Sequence, residues 1–497
     1  MSFASVNLGK LFDPATQPDK TALIAVGPDG SHREFSYRQV DNAASAFAAG
    51  LTRRGLQRGA RVGLLGINSA EYLVAYLGIM RAGFVAVPIN VRLPRATIDF
   101  ILADSEAALL FADPDRAAGL PAEPLGEIPI ANAPPTEFAA VAAAPHEVAM
   151  ILYTSGSTGR PKGVLLSHTG QLWALGIRIA TFTDPALNRL LVASPLYHMN
   201  ALFTSKASLM AGASLVLMSG FTPESYIDAA ARFRCTALSS VPTMIARVVK
   251  EEAVLAAADL SAVKRVTMGS APTSRALWDK ARAAFPGARL VSSYGTTEHG
   301  PSAFGPHPAG LPTPELSLGY PQPGNELRLA EGSSPDEGVL QIRCPAVMEG
   351  YANLPKITAK VLRDGWFWTG DVMRRDENGF YFFVGRADDI FVCSGVNIYP
   401  GEVETLLERH PAVHQASVVP LPDDERGQIP IAFVVLKPSA TADEAELKQF
   451  ALANAVPVQH PRRVFFKAEL PLSGTNKIDR RALTDEAAAS ANLSEAS

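Results

Sequence analysis

The chain is poor in cysteine. Cys235, Cys344 and Cys393 are its only three, an odd number at wide spacings. They fit neither a disulfide framework nor a zinc site, and a reducing compartment is the simpler reading. Long apolar runs are missing as well. Stretches such as Phe84-Val-Ala-Val-Pro88 fall far short of a membrane span. The first twenty residues have neither the apolar core nor the Arg-rich amphipathic pattern of a targeting segment. These absences predict a soluble, cytoplasmic protein with no membrane span. Nor is there an excess of charge. Lys and Arg number 45 against 49 Asp and Glu, a net charge of -4. The basic residues are scattered, so nothing in the electrostatics asks for nucleic acid. No internal repeat is visible.

What the chain has is length and apolar material. At about 150 residues per domain, two to four domains are expected, and 47% of the 497 residues are hydrophobic, enough for several cores. Phe35 to Arg54 reads as a helix after Tyr37. Arg61–Leu65 reads as a strand, Ala70–Ala82 as a helix and Phe84–Pro88 as a strand. Short apolar strands recur at Leu190–Ala193, Leu215–Met218, Ala237–Val241, Arg265–Met268 and Arg289–Ser292. Strands alternating with helices predict an α/β fold of βαβ units and parallel sheets. Ligands in such folds collect past the carboxyl ends of strands. The loops to inspect follow Tyr153, Ser194, Ser240, Gly269 and Ser293. The Ala/Pro-rich stretch 131–145 reads as a linker. Val339–Arg343 and Phe380–Val384 suggest a small β-rich region. Beyond Gly385, Pro400–Arg409, Val413–Leu421, Ile431–Leu436 and Asp443–Asn454 predict a separate small α+β domain, and the tail from Thr484 is expected to fray.

The first of those loops is YTSGSTGRPKGV, Tyr153 to Val164. Its glycines allow close backbone approach, and its N–H groups, hydroxyls and two cations favour an anion. A strand, a Gly-rich loop and a cation in that order suggest a phosphate cradle. The alternative is a surface loop of turn residues. The G-x-x-x-x-G-K-[ST] fingerprint of P-loop ATPases is absent.

Four more motifs stand at or beyond strand ends: Ser293-Tyr-Gly-Thr-Thr-Glu298, Trp366-Phe-Trp-Thr-Gly-Asp371, Gly385-Arg-Ala-Asp-Asp389, and Leu470 to Arg481 with Lys477 in a turn-rich loop. Each alone has a bland reading as a turn or a solvated ion pair. Together and in this order they resemble the adenylate-forming superfamily. That group holds acyl- and aryl-CoA synthetases, peptide-synthetase adenylation domains and firefly-type luciferases. The resemblance runs from about Phe35 to Leu483 and is nearest to bacterial acyl- or aryl-CoA ligases of the 4-coumarate and benzoate type.

The resemblance implies a two-step reaction. A carboxylate attacks the α-phosphate of Mg-ATP to give acyl-AMP and pyrophosphate, and a thiol then takes the acyl group. Thr154, Ser155, Gly156, Ser157, Thr158, Gly159 and Lys162 correspond to the loop over the ATP phosphates. Tyr294 corresponds to the aromatic that stacks on adenine, with Gly269, Ser270, Ala271, Gly295 and Thr296 around the nucleoside. Thr297 is expected at the α-phosphate and Glu298 on Mg²⁺. Asp371 is expected to accept from both ribose hydroxyls, with Arg386 as a clamp. Lys477 matches the lysine that bridges carboxylate and α-phosphate, and the target of a lysine acetyltransferase and deacetylase in bacterial CoA ligases. His198 matches a ring that gates the acyl site, although a lone His after an apolar strand is as readily structural. Asp388 matches a hinge, and Ser394-Gly395 the loop lining the pantetheine tunnel. Two departures stand out. Asn476 precedes Lys477 where Gly is usual, and Ser394 stands where Gly-Gly is commoner.

The implied organisation is a large N-terminal adenylating domain (1–386) with a small β-rich subdomain, a hinge (387–388), a mobile C-terminal domain (389–483) and a disordered tail (484–497). The leading reading is a free-standing carboxylate–CoA ligase using ATP, CoA and Mg²⁺. Alternatives are an enzyme loading a separate acyl carrier protein, a medium-chain fatty acyl-CoA synthetase, and a nucleotide-binding protein without turnover. A homodimer is a further expectation. The acyl pocket is expected from Met199, Asn200, Phe203, Val241 and Met268 and their neighbours, small or apolar and without Arg or Lys. Such a wall disfavours a dicarboxylate and favours a hydrophobic, aromatic monocarboxylic acid.

Overall fold

From Thr21 to Ser293, short buried strands alternate with helices, as the apolar pattern predicts. The structure is a computed structural model and describes residues 7–154, 160–180, 188–472 and 478–495. It divides into two units. One comprises Met1–Thr273, Leu277–Leu327 and Ile342–Trp368; the other Ser274–Ala276, Arg328–Gln341 and Thr369–Ser497.

The first unit contains two seven-stranded sheets. One runs, from edge to edge, Arg289–Ser293, Arg265–Gly269, Ala237–Ser240, Arg189–Val192, Ser214–Met218, Thr21–Val26 and His32–Ser36. All neighbours are parallel except the last pair. The second sheet has Arg61–Leu65 parallel to Val85–Pro88 on one side and Ala107–Ala112 on the other. At its far edge the hairpin Val148–Thr154/Lys162–Ser167 is antiparallel and pairs outward with Gly350–Tyr351. Parallel strands carry helices on their faces and so read as continuous apolar runs, which is why they were legible in the sequence.

The helices start and stop where their caps dictate. Tyr37–Thr52 begins with a capping box between Ser36 and Gln39. Ala70–Arg81 begins at Ser69, whose hydroxyl accepts from the Tyr72 N–H. It ends as Gly83 turns left-handed at φ +79°, with N–H bonds from Gly83 to Met80 and from Phe84 to Ile79. All twelve residues of this helix are buried. It shares one core cluster with Leu23, Leu215 and Leu217 of the first sheet and Val62, Leu64 and Ala86 of the second.

The strand Trp366–Arg375 carries the chain from the first unit into the second, where its last residues pair with Tyr381–Arg386. The second unit folds the hairpin Val413–Asp423/Gly427–Leu436 against Phe391–Cys393 and Arg463–Phe466. Helices Pro400–Glu408 and Glu444–Asn454 contribute to its core. The tail departs from expectation: Arg480–Glu495 is one helix. Leu483 and Ala487, four residues apart on one face, are 0% and 1% exposed and pack with Val419, Ile431 and Phe433. Alanine, abundant in this tail, is also the best helix former. No helix among the described residues is long and apolar enough to cross a membrane.

Candidate active site

Gly269 and Ser293 end adjacent parallel strands and face each other in register. The stretches 269–271 and 294–298 therefore leave the sheet side by side. A Cβ on Gly269 would lie 3.1 Å from the Ser293 carbonyl oxygen, and one on Gly295 only 2.6 Å from Pro301 Cα. Glycine at 295 is thus a steric requirement. Ser270 adopts φ +69°. Thr296 bridges back to Gly300, and its hydroxyl accepts from the Glu298 N–H at 3.2 Å, so Thr297 and Glu298 ride on a tight turn. The half-buried Tyr294 ring is backed by His299 at 5.6 Å and Phe304 at 5.9 Å. Burial pushes His299 down to about 4, so its imidazole is neutral near pH 7.

Glu298 is held twice by one short stretch. Its carbonyl accepts from the Met348 N–H at 2.7 Å, and its Oε1 accepts from the Tyr351 hydroxyl at 2.9 Å. The Lys162 ammonium stands 4.9 Å from the centroid of the same Tyr351 ring. Lys162 is paired with Thr154 across the hairpin. The structure therefore brings Lys162 and Glu298 onto one tyrosine that the sequence reading did not single out. Ser155, Gly156, Ser157, Thr158 and Gly159 lie outside the described residues.

His198 occupies the N-cap position of helix Met199–Met210, its ring edge-on to Tyr197 at 4.7 Å. The loop before it is fixed by Asn68, whose amide donates to the carbonyls of Ser194 and Met218 and accepts from the Leu196 N–H at 2.7 Å. Asn68 stands in the loop after the strand Arg61–Leu65, at a strand end where ligand loops of such folds lie.

Beneath the Tyr294–Glu298 turn, a cavity lies along the sheet face. Ser293 and Pro301 line it, with Asn200, Phe203, Ser239, Thr267, Arg178 and Arg265. Side chains alternate along a strand, which sorts the expected pocket residues. Arg265 and Thr267 face the cavity, whereas Met268 points to the opposite side and is fully buried beside Trp278 and Ile245. Val241 packs against that same cluster, and Met199 belongs to the central core. This cavity also has two arginines, Arg178 and Arg265, in its lining, which the expected pocket segments do not contain. Burial lowers Arg178 to about 10 and Arg265 to about 9, the latter also by the Arg178 and Arg289 charges. Arg178 comes from the helix His168–Ala180 and Arg265 from the start of the strand Arg265–Gly269.

In the second unit, Asp371 is 4% exposed and accepts from Arg386 at 2.8 Å across paired strands. Arg386 also reaches Asp388 at 3.4 Å, in the single 3-10 turn Ala387–Asp389. Ser394 (φ +50°) and Gly395 (φ +79°) form the two-residue turn between Phe391–Cys393 and Val396–Ile398. Two positive φ values make a type I′ turn, for which Ser394 costs about 1–2 kcal/mol more than glycine. Lys477 lies outside the described residues.

This geometry has counterparts in known proteins. Residues 13–352 match the model of the AMP-binding enzymes, and 402–477 that of the AMP-binding enzyme C-terminal domain. A feruloyl-CoA synthase of Amycolatopsis sp. is 33% identical over 89% of this chain and 92% of its own. A fatty acid–[acyl-carrier-protein] ligase of Streptomyces coeruleorubidus is 31% identical over 95% of each. A solved anthranilate CoA ligase in complex with anthranoyl-AMP superposes with a TM-score of 0.86, at 26% identity and over 98% of both chains. Matched along most of its length in family model, sequence and fold, the chain belongs to the AMP-binding enzyme family, the adenylate-forming superfamily of acyl- and aryl-CoA ligases.

Proposed function

We propose that this protein joins an aromatic monocarboxylic acid bearing a distal oxygen substituent to CoA. It is an AMP-forming acid–thiol ligase: ATP and the acid give acyl-AMP and pyrophosphate, and the adenylate is then converted to a thioester. The observation that carries the substrate reading is a cavity lined by Ser293 and Pro301, by Asn200 and Phe203, and by Arg178 and Arg265; its free space is about 30 Å³, so a ring enters only as the lining side chains move apart. Arg265 and Gly269 are the two ends of a five-residue strand, four steps or about 13 Å apart. An acid with its carboxylate at the turn would lay a ring against Phe203 and Asn200 and its far end near the guanidinium groups. Each guanidinium has five N–H donors, so it can serve a protein partner and a ligand oxygen together.

The nucleotide roles follow the family pattern. Tyr294 stacks on adenine beside Gly269, Ser270, Ala271, Gly295 and Thr296, and Thr297 meets the α-phosphate. Thr154, Lys162 and residues 155–159 hold the outer phosphates. Asp371 and Arg386 take the ribose, and Lys477 the reacting carboxylate and α-phosphate. Asp388 is the hinge and Ser394-Gly395 the pantetheine loop. Mg²⁺ fits Glu298: no group of three potential metal-ligating side chains exists among the described residues, but Mg²⁺ carried on phosphates needs only one or two carboxylates. The ion would neutralise charge on the phosphates, and the chain's part is to aim Glu298. A cytoplasmic location, reversible acetylation of Lys477 and a homodimer belong to the same reading. The carrier-protein ligase among the relatives favours a second acceptor, since pantetheine is common to both.

A panel of acids scored for CoA-dependent AMP production tests the function. Ring acids with a para-hydroxyl are expected to exceed their unsubstituted parents about ten-fold in kcat/KM, since an unmatched buried donor costs about 1–3 kcal/mol. Arg265→Met should erase that preference and leave ATP–pyrophosphate exchange with the unsubstituted acid in place. Equal rates across the panel would sink the distal-oxygen reading, and an absence of AMP with every acid would sink the ligase.

A further inference from the structure

We propose that Tyr351 is a positioning residue that sets the Mg²⁺-facing carboxylate of Glu298 and ties it to the phosphate-loop lysine. The inference rests on the nucleotide reading of the site. Three contacts converge on this residue. Its hydroxyl donates to Glu298 Oε1 at 2.9 Å, which occupies one carboxylate oxygen and leaves Oε2 for a ligand. Its ring lies 4.9 Å from the Lys162 ammonium, within the range of a cation–π attraction. Its main chain is fixed on both sides. Tyr351 pairs with Val164 of the strand that begins at Lys162, and its N–H donates to Thr358 Oγ1 at 2.9 Å.

The arrangement is rigid where it needs to be. Tyr351 is only 7% exposed, so its ring is locked by packing. Met348, three residues earlier, holds the Glu298 carbonyl. One short segment therefore fixes both the main chain and the side chain of Glu298. A carboxylate on a turn has rotational freedom, and a hard cation on a triphosphate demands a set direction. The phenol supplies that direction without adding charge. Its ring face gives Lys162 a resting place between the strand and the phosphates, so that charge is stored next to the carboxylate it will work with.

The test is binding of ATP by calorimetry, with Mg²⁺ and with EDTA, to the full-length parent, Tyr351→Phe, Glu298→Gln and the double variant. Tyr351→Phe keeps the ring and removes only the donor. It should weaken ATP binding about ten-fold with Mg²⁺ and hardly at all in EDTA. In the Glu298→Gln background the same change should cost little more, because residues acting through one contact are not additive. Tyr351→Leu should also weaken binding in EDTA, through the lost seat of Lys162. Equal weakening of Tyr351→Phe with and without Mg²⁺, or full additivity with Glu298→Gln, would overturn the proposal. A parent protein that binds no ATP under either condition would instead overturn the nucleotide reading itself.

Discussion

Lys477→Ala is expected to slow acyl-AMP formation by on the order of 10²–10³ or more, while thioester formation from supplied acyl-AMP stays near the parental rate. The cause is charge. In the first half-reaction a carboxylate approaches a polyphosphate, and negative charge crowds the entering oxygen and the α-phosphate. A cation between them relieves repulsion that does not exist once acyl-AMP has formed. The second half-reaction expels AMP under attack by a thiol and makes no such demand. Lys477 lies outside the described residues, and the described residues on either side of it are joined. Leu472 and Ile478 pair with each other, and the Asp479 N–H donates to the Pro471 carbonyl at 2.8 Å. Pyrophosphate release in a single turnover, set against thioester yield from synthetic adenylate, separates the two steps. Loss of both in equal measure would assign Lys477 to something other than adenylation. Lys477→Gln, which mimics acetylation by removing the charge, should behave as the alanine variant does.

The second large effect concerns stability. Lys206, on the helix Met199–Met210, is fully buried. Its ammonium has Tyr76 Oη at 3.2 Å, Gln171 Oε1 at 3.3 Å and Met150 Sδ at 3.9 Å. None of these is a charge, and burial pushes the lysine down to about 7. In the unfolded chain it titrates near the ordinary value of about 10.4. Between these values the unfolded state holds a proton that the folded state has released, so stability rises with pH across that window. Below about 7 both states are protonated and the full burial penalty is present. Lys206→Met should remove this dependence and add a few kcal/mol at pH 7, less about 1–3 kcal/mol for the Gln171 oxygen left without its donor. All four tryptophans, Trp173, Trp278, Trp366 and Trp368, belong to the first unit, so urea unfolding followed by their fluorescence reports on it. The gap between variant and parent should be widest at pH 6 and close towards pH 10. A gap that does not change with pH would mean that Lys206 is not the titrating group.

The elements best read from the sequence were those with one dominant signal. Short Val/Leu-rich strands between turn residues came out within a residue or two, since burial on both faces leaves a continuous apolar run. The loop motifs were legible for a different reason: each is bland alone, but their order along the chain resembles one family, and at Gly295 the residue type also records the geometry, since a Cβ there would lie 2.6 Å from Pro301 Cα. What escaped depended on tertiary contact. Tyr351 reads as an ordinary strand aromatic until the fold seats it between Lys162 and Glu298. Arg178 and Arg265 lie 87 positions apart in sequence and meet only because a helix covers the sheet face. Met268 belongs to the core beside Trp278 and Ile245 rather than to a pocket wall, because alternation sends every second side chain of the strand to the other face. The final helix was missed because Leu483 and Ala487 gain their meaning from the sheet they cover.

The buried helix Ala70–Arg81 sets a condition on the order of assembly. It has no face that water could hold, and the strand Ser214–Met218 that shares its core is made more than a hundred residues later. At about 5–20 residues per second, synthesis of that interval takes on the order of 10 s. For that time the nascent chain carries an apolar segment covered on the side of the second sheet but not yet on the side of Leu215 and Leu217. Such a segment is what holdase chaperones bind, and what associates between chains when they are scarce. Yield of active protein should therefore respond to translation speed and chaperone supply more than to changes at the catalytic turn.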